Sequence, residues 1–374
     1  MLILPVGINA TKPLMLTHVA GMAYLDTSLR ILENISNTTF WFNRTPWDLA
    51  IQNIRFWTYL ELIHPEYDFA ESSEYEIGEL YVECFQSQVG IDSMIDQFRK
   101  KSQEITNRVE HKGYVHPSSL TIYKWWKTHL EFLGIGNLKV DNQVKLTLSQ
   151  DQVLDQLAQN KLLLDQRAIS GSVFLDLTSF GLSLRTLVSE NGSINYLLPV
   201  LRDIYRRAEQ SDGVVLYYDD SVRRDYIYID KILSLQGIKV IRKELFRIAV
   251  GGTLYSSKGG GWSESTFAFF RRQYLDELPE KVARLAVKSY LLFFLNQKGK
   301  ESFSGEGLCQ SIEQAKDLLE TVDLADTLLP DDERMLYSKM MKANGLVNIF
   351  QLFTSIYQKR SNNQQRASLL KLVL

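Results

Sequence analysis

The chain of 374 residues is long enough for two or three domains with a sizeable core. Hydrophobic residues make up 45% and charged residues 23%, as in ordinary globular proteins, and the net charge of −2 excludes a chain that binds polyanions over its whole surface. No segment holds the roughly 18 uncharged apolar residues of a membrane span, and no basic signal-peptide region opens the chain. Cys84 and Cys309 give neither a disulfide framework nor zinc-ligand spacing. We therefore expect a cytoplasmic protein that binds neither membrane nor DNA.

The first 33 residues predict a strand, a polar turn and a helix. Leu2–Val6 is an apolar run, the turn carries Gly7, Asn9 and Pro13, and apolar spacing predicts a helix over 19–32. This order opens a βα unit in which phosphate lies over the helix N-terminus. It predicts half of a nucleotide-binding domain, although any α/β domain begins in the same way.

Residues 7–18 read G-I-N-A-T-K-P-L-M-L-T-H. They resemble the first signature of class I aminoacyl-tRNA synthetases, in the form S-P-N-x-x-K-P-x-H-x-G-H of the arginyl-tRNA synthetases, which is followed by G-D-x-x-x-R-x-L. The positions that match in register are Asn9, Lys12, Pro13, His18, Asp26, Arg30 and Leu32. Met15 stands where the family has its first histidine, and Thr17 stands where it has glycine.

Residues 41–165 are predicted to form a mainly helical insertion between the two halves of the nucleotide-binding domain. Apolar spacing predicts helices through 50–113, and residues 36–50 read as a loop where the family has G-D-W-G. The run K-W-W-K at 124–127 lies on a further helix. Such a basic and aromatic run can stack bases and hold phosphate. The alternative is a helix with one buried tryptophan and two solvated lysines.

A strand, a helix and a second strand follow one another over 213–241, which predicts a βαβ unit of a parallel sheet. Its first strand ends at Asp219 and Asp220, which are candidate magnesium ligands or a solvated strand end. Upstream, 171–177 reads as a strand, and Asn191-Gly192 predicts a hairpin turn after another strand.

Two positions after this turn bear on the amino-acid substrate that the resemblance implies. Tyr196 matches the tyrosine of the family. The aspartate that helps to hold the cationic amino acid falls on Val200 in register, and Asp203 takes its place only after a three-residue shift. The family's glutamine in the loop after the next strand is missing, and Ser221 lies in that loop.

Residues 252–261 read G-T-L-Y-S-S-K-G-G-G and resemble the mobile K-M-S-x-x-x-G-N loop of class I synthetases. Ser256, Lys258 and Gly260 match, whereas Leu254 replaces the leading lysine. Glycines let backbone N–H groups approach phosphate, and a lysine stabilises the charge of the transition state. A flexible surface loop is the alternative for this segment taken alone.

The resemblance implies a fold and a site. The fold is an α/β, Rossmann-like class I catalytic domain over 1–40 and 166–275, interrupted by the insertion 41–165, and a shortened helical anticodon-binding-like domain over 276–374. The cofactors implied are ATP and Mg²⁺, with no metal site in the protein itself, and the partner is tRNA or another amino-acid acceptor. The implied catalytic residues are His18, Lys12 and Lys258; the ATP-binding residues are Asn9, His18, Gly21, Ser256 and Gly260; the substrate-binding residues are Asn9, Tyr196 and Asp203.

Three functions follow from these matches and departures. The first is an arginyl-tRNA synthetase paralogue that activates an amino acid as an adenylate. The second is a non-catalytic, synthetase-derived protein that binds tRNA or a protein, because Met15 and Leu254 remove donors and Thr17 lies where adenine should stack. The third is a biosynthetic ligase that forms an adenylate without tRNA.

Overall fold

The computed structural model describes residues 1–5, 7–86, 94–255, 260–295, 302–358 and 362–374. The strands are β1 Leu2–Leu4, β2 Thr39–Phe40, β3 Leu163–Asp165, β4 Val173–Leu175, β5 Arg185–Val188, β6 Val214–Asp219, β7 Val240–Leu245, β8 Ala249–Val250 and β9 Ser302–Phe303. The helices are α1 Leu16–Ile35, α2 Thr45–Asp48, α3 Ile51–Ile63, α4 Glu74–Gln86, α5 Ile95–Lys112, α6 Pro117–Phe132, α7 Gln150–Gln159, α8 Leu197–Glu209, α9 Arg223–Leu235, α10 Phe267–Tyr274, α11 Glu280–Phe294, α12 Gly305–Thr321, α13 Pro330–Lys339, α14 Ile349–Tyr357 and α15 Asn363–Val373.

A parallel four-stranded sheet in the order β2-β1-β6-β7 lies at the centre of the fold. Ile3 of β1 pairs with Phe40 on one side and with Val215 on the other. The sheet separates two cores, because Ile3 packs into one while Leu2 and Leu4 pack into the other. A strand buried on both faces explains the continuous apolar run at the start of the chain. The βαβ unit predicted over 213–241 is confirmed as β6, α9 and β7.

Helix α1 is the most central helix of the first core, since 14 of its 20 residues are buried. A helix that is buried on most of its circumference is a core element rather than an amphipathic surface helix. It contacts α11, α13 and α15 from the C-terminal part of the chain. The N-terminal strand, turn and helix that the sequence predicts are therefore confirmed, and this helix also organises the helical region that follows the sheet.

The second core contains an antiparallel sheet that the sequence analysis did not anticipate. Strands β3, β4 and β5 form this sheet apart from the parallel one. The strand expected over 171–177 is present as β4, and the turn at Asn191-Gly192 is present with Gly192 at φ +81°. Alternating apolar residues predict a strand but do not say which sheet it joins. The domain boundaries given above stay a prediction.

Most of the secondary structure over 41–165 and 276–374 is helical. Helices α3 to α6 lie within 51–132, and α11 to α15 lie within 280–373. The short elements β2 and α2 interrupt the stretch expected to be a loop over 36–50. Among the described residues, no helix is long and apolar enough to cross a membrane.

Candidate functional site

The crevice between the carboxyl ends of β1 and β6 is where the topology places a ligand. Helix α1 leads from β1 to β2 at one edge of the sheet, whereas α9 leads from β6 to β7 at the other edge. In open parallel sheets, ligands bind at such a reversal of strand order, and the N-terminus of the first helix favours an anion. The residues of the first signature lie at this helix N-terminus.

His18 lies in the first turn of α1 and is a neutral hydrogen-bond donor. The backbone N–H of Met15 donates to its Nδ1 at 3.3 Å. Burial, together with the nearby Lys12 ammonium, lowers the pKa of His18 to about 3. A neutral imidazole whose Nδ1 accepts a hydrogen bond carries its proton on Nε2. His18 therefore offers one N–H donor to the crevice rather than a positive charge.

Lys12 lies beside the same helix terminus, with its Nζ 5.4 Å from the centre of the Tyr81 ring. Its backbone carbonyl accepts a hydrogen bond from the indole of Trp126 at 3.1 Å, and that indole is buried. This contact gives the K-W-W-K run a structural role in holding the turn before α1. Lys12, His18 and Arg247 line one cavity of about 200 Å³. We call it the cationic cavity, although the Arg247 guanidinium is paired with Asp220 at 2.7 Å and Asp219 also lines it.

The Thr17 side chain, next to His18 at the start of α1, closes the neighbouring part of the crevice. Its Oγ1 accepts a hydrogen bond from the backbone N–H of Ile248 at 2.8 Å, which joins the start of α1 to the segment after β7. The space next to it is an apolar cavity of only about 30 Å³, which Gly21 and Phe42 also line. That volume holds one or two water molecules. Thr17 thus bonds to the opposite wall where the family signature has a glycine without a side chain.

Asp203 lies in α8 on the other side of β1, and both of its carboxylate oxygens already accept hydrogen bonds. The Trp41 indole donates to Oδ2 at 2.7 Å, and the Asn43 amide donates to Oδ1 at 2.9 Å. Burial raises the pKa of Asp203, and the two hydrogen bonds oppose this effect. Val200 and Asp203 line the same cavity, also about 30 Å³. The two residues lie three positions apart and therefore share one face of the helix. The three-residue shift from Val200 to Asp203 moves the carboxylate by less than one helical turn.

Tyr196 precedes α8 and is engaged in a local network. Its hydroxyl donates to Asp225 at 2.7 Å, and the Arg185 guanidinium lies 2.7 Å from the other oxygen of that carboxylate. The Trp47 ring packs against Tyr196 with 5.8 Å between ring centres. A Cβ at Gly7 would lie 2.0 Å from the same indole. The serine of the family signature therefore has no room at Gly7.

Of the other predicted site residues, the structure describes Asn9 and Gly260, which contact different helices. The Asn9 amide donates to Gln52 of α3 at 2.9 Å. Gly260 has φ +75°, and a Cβ there would be 3.6 Å from Val82 of α4. Ser256 and Lys258 lie outside the described residues.

Two contributors to the crevice, Trp41 and Trp47, were not identified from the sequence, and a third, Asp219, was considered there only as a magnesium ligand or a solvated strand end. Asp219, at the end of β6, lines both the apolar and the cationic cavity, and its Oδ1 accepts from the backbone N–H of Ser221 at 2.8 Å. Trp41 and Trp47 fill the side of the crevice that faces α8. Their only sequence signal was the unusual aromatic content of the loop over 36–50. Within the described ranges, no three His, Cys, Asp or Glu side chains are placed to hold a metal ion.

Comparison with solved structures gives the fold an identity. The arginyl-tRNA synthetase of Thermus thermophilus superposes with a TM-score of 0.53 at 13% identity, over 100% of this chain and 73% of that one. The chain has an arginyl-tRNA synthetase-like fold. The enzyme of Plasmodium falciparum matches over the same shares with 14% identity and a TM-score of 0.49. No family model and no curated protein matches the sequence.

Proposed function

We propose that the chain is a synthetase-derived binding protein that forms no aminoacyl adenylate. The observation that carries this proposal is the hydrogen bond from Ile248 N–H to the Thr17 hydroxyl, which crosses the crevice where a nucleotide base would enter. A nucleotide base would have to break this hydrogen bond. The branched side chain of Thr17 would still occupy the space beside the helix. The closure is made by the chain's own side chains and requires no partner.

The size of the crevice supports the same conclusion. The three cavities along the crevice, as the described residues bound them, are about 30, 30 and 200 Å³. Sites for cofactors and drug-sized ligands usually measure about 300 to 1,000 Å³. An adenylate needs the nucleotide and the amino acid to be held side by side, so both small cavities would have to open together.

The polar groups on the amino-acid side are also already satisfied. Asp203 accepts from Trp41 and Asn43, and Tyr196 donates to Asp225. A cationic amino acid that bound Asp203 would have to break two hydrogen bonds in a buried site. Unpaired donors in such a site cost about 1 to 3 kcal/mol each. The ligand would gain little from this exchange.

The groups for phosphate transfer are reduced as well. Met15 and Leu254 bring no charge or strong donor at the positions of a histidine and a lysine. His18 remains as a single neutral donor. Loss of one donor to a developing negative charge typically lowers kcat about 10² to 10³-fold. Two such losses would make adenylate formation very slow even with an open crevice.

The second candidate is the adenylate-forming enzyme. The cavity with Lys12, His18 and Arg247 favours it, because these groups would hold the phosphates of ATP with Mg²⁺. The amino acid would then pass to tRNA or, in a biosynthetic ligase, to a small acceptor. This candidate requires the contact between Thr17 and Ile248 to open.

The charge of the C-terminal helices favours a protein partner over tRNA for the proposed binding function. Residues 317–333 contain seven Asp or Glu residues and no Lys or Arg. None of these carboxylates forms an ion pair with another residue in the described parts of the chain. Affinity for RNA depends on neutralising its phosphates with cations. The acidic segment 317–333 therefore repels a polyanion such as RNA. We therefore expect no tRNA mobility shift at low salt, where such binding is strongest.

Pyrophosphate exchange with each of the twenty amino acids tests the absence of adenylate chemistry. The expected result is no exchange above the level without amino acid, with or without added tRNA. Exchange with any one amino acid would overturn the proposal. Exchange that needed no tRNA would favour the biosynthetic ligase over the tRNA-charging enzyme.

A further inference from the structure

A separate cavity of about 710 Å³ lies away from the crevice, between α3, α5 and the turn at Asn191–Ser193. It shares no lining residue with the three crevice cavities. Its volume falls within the range of about 300 to 1,000 Å³ that is typical of small-molecule sites. The cavity is therefore large enough for a ligand that the crevice cannot take.

Two arginines, Arg55 of α3 and Arg99 of α5, line this cavity. The two helices are in contact there, with the Thr58 and Ser102 hydroxyls 3.0 Å apart. Glu61, one turn further along α3, pairs with Lys101 at 2.8 Å and with Arg108 at 3.1 Å. The Glu61 carboxylate is therefore neutralised by two other cations of α5.

Arg55 has the surroundings of an anion-binding residue. Its guanidinium stacks on the Phe85 ring at 4.8 Å and donates a hydrogen bond to the Cys84 carbonyl at 3.5 Å. No carboxylate in the described ranges forms an ion pair with it. Arg99 meets Asp96 at 3.4 Å, but both side chains are largely exposed, and such pairs contribute little. Two guanidinium groups that line one cavity favour a phosphate, which they can bind with several N–H donors.

The wall that continues along α5 is rich in neutral hydrogen-bonding groups. Ser102, Gln103, Thr106 and Asn107 follow one another along the helix face that lines the cavity. The buried residues of α5 are Ile105 and Val109. Hydroxyl and amide groups both donate and accept, which matches the hydroxyl groups of a sugar.

The remaining boundaries limit where charge can be bound. Ile54 and Phe98 line the cavity with apolar surface, against which the C–H face of a sugar ring can pack. At the far end, Glu110 is paired with Arg202, so neither is available to a ligand as an unpaired charge. The cavity thus has a cationic end, a polar wall and an apolar floor.

We propose that this cavity binds a sugar phosphate. The phosphate lies between Arg55 and Arg99, and the sugar lies along α5 with its hydroxyls on Thr106 and Asn107. Binding at this place is independent of the proposed function, because none of its residues belongs to the crevice.

Calorimetric titration of the full chain with glucose 6-phosphate, inorganic phosphate and glucose tests this proposal. We expect glucose 6-phosphate to bind at least tenfold more tightly than inorganic phosphate, and glucose to bind most weakly. Arg55→Gln should weaken the binding of both phosphates about ten- to hundredfold, as the loss of a charge-assisted contact does. Asn107→Ala should weaken glucose 6-phosphate alone.

Arg272→Gln is the matched control, because Arg272 is exposed on α10 and does not line the cavity. It should leave all three titrations unchanged. If Arg55→Gln fails to fold, as its melting curve would reveal, Arg99→Gln and Asn107→Ala still separate the phosphate contact from the sugar contact. Absence of wild-type binding to glucose 6-phosphate, or binding that none of these variants in the cavity weakens, would overturn the proposal.

Discussion

The two ends of α1 differ in how they match the arginyl-tRNA synthetase signature. At the N-terminal end, Met15 and Thr17 depart from it, and these are the positions that would face a nucleotide. In the second half of the helix, Asp26, Arg30 and Leu32 all match. The same helix therefore keeps one half of the pattern and loses part of the other.

The matching half holds the fold together. Asp26 pairs with Arg30 at 3.1 Å and lies 3.7 Å from Lys288 of α11. The Arg30 guanidinium also donates to the Gly134 carbonyl at 2.5 Å, and the fully buried Lys288 donates to the Val373 carbonyl at 2.6 Å. These contacts join α1 to the turn after α6, to α11 and to α15. Removing one member of such a network leaves a buried charge without a partner.

The difference between the two ends explains how a chain can keep the fold without keeping the crevice. The ion pairs of Asp26 stabilise the packing of helices whether or not a nucleotide binds. A glycine at position 17 would stabilise nothing by itself, and Thr17 there adds a hydrogen bond to the opposite wall. The matches in the second half of α1 thus serve stability, whereas Met15 and Thr17 depart at the end that would serve chemistry, where Lys12 and His18 still match.

The largest expected effect comes from the buried network. Lys288→Met keeps an unbranched side chain of similar size, but it leaves the Val373 carbonyl without its donor and the buried Asp26 with Arg30 as its remaining cationic partner. We expect the free energy of unfolding to fall by about 3 to 5 kcal/mol, measured by denaturant titration at pH 7. Lys281→Met, at an exposed position of the same helix, is the control. A loss below about 1 kcal/mol would mean that this end of α1 has no greater structural role than the other.

The next effect concerns the pH dependence that His18 confers. Its pKa is lowered from 6.5 to about 3, so between these values the unfolded chain binds a proton that the folded chain does not. Stability therefore falls as the pH decreases through this window. From pH 7 to pH 5, His18 should account for a loss of about 2 kcal/mol.

His18→Asn tests this value, because the amide oxygen can still accept from Met15 N–H and does not titrate. Denaturant titrations of both chains at pH 7 and pH 5 should give a loss on acidification that is about 2 kcal/mol smaller in the variant. Equal losses in the two chains would mean that His18 is accessible to protons in the folded state, and the crevice would then be open.

The third effect isolates the hydrogen bond of Thr17. Thr17→Val keeps the shape of the side chain and leaves the N–H of Ile248 without its partner. The free energy of unfolding should fall by about 1 to 3 kcal/mol. Thr17→Ser, which keeps the hydroxyl, should stay within about 0.5 kcal/mol of the wild type. If valine and serine had the same effect, the hydrogen bond would not contribute to closing the crevice.

Local patterns were enough to predict much of the fold. The helix over 16–35 and the βαβ unit over 214–245 follow from apolar spacing and turn residues, which are properties of neighbouring residues. The position of the crevice followed from the order of these elements and from the signature. The antiparallel sheet of β3, β4 and β5 was not predicted, since pairing between strands depends on contacts that the spacing does not encode.

The closure of the crevice was only partly predictable. The sequence places a branched side chain at Thr17, but its partner Ile248 is 231 residues away. Likewise, helix spacing puts Val200 and Asp203 on one face, whereas the hydrogen bonds from Trp41 and Asn43 come from a loop about 160 residues earlier in the chain. Long-range contacts of this kind depend on the assembled fold.

Calorimetric titration of the wild type and Thr17→Gly with ATP and Mg²⁺ tests the central claim most directly. If the Thr17 side chain closes the crevice, the wild type should give no heat of binding, and Thr17→Gly should bind ATP. Thr17→Ser should behave as the wild type, because it keeps a side chain and its hydroxyl at the same place. Saturable binding of ATP by the wild type would contradict the account, since it would mean that the crevice admits a nucleotide despite Thr17.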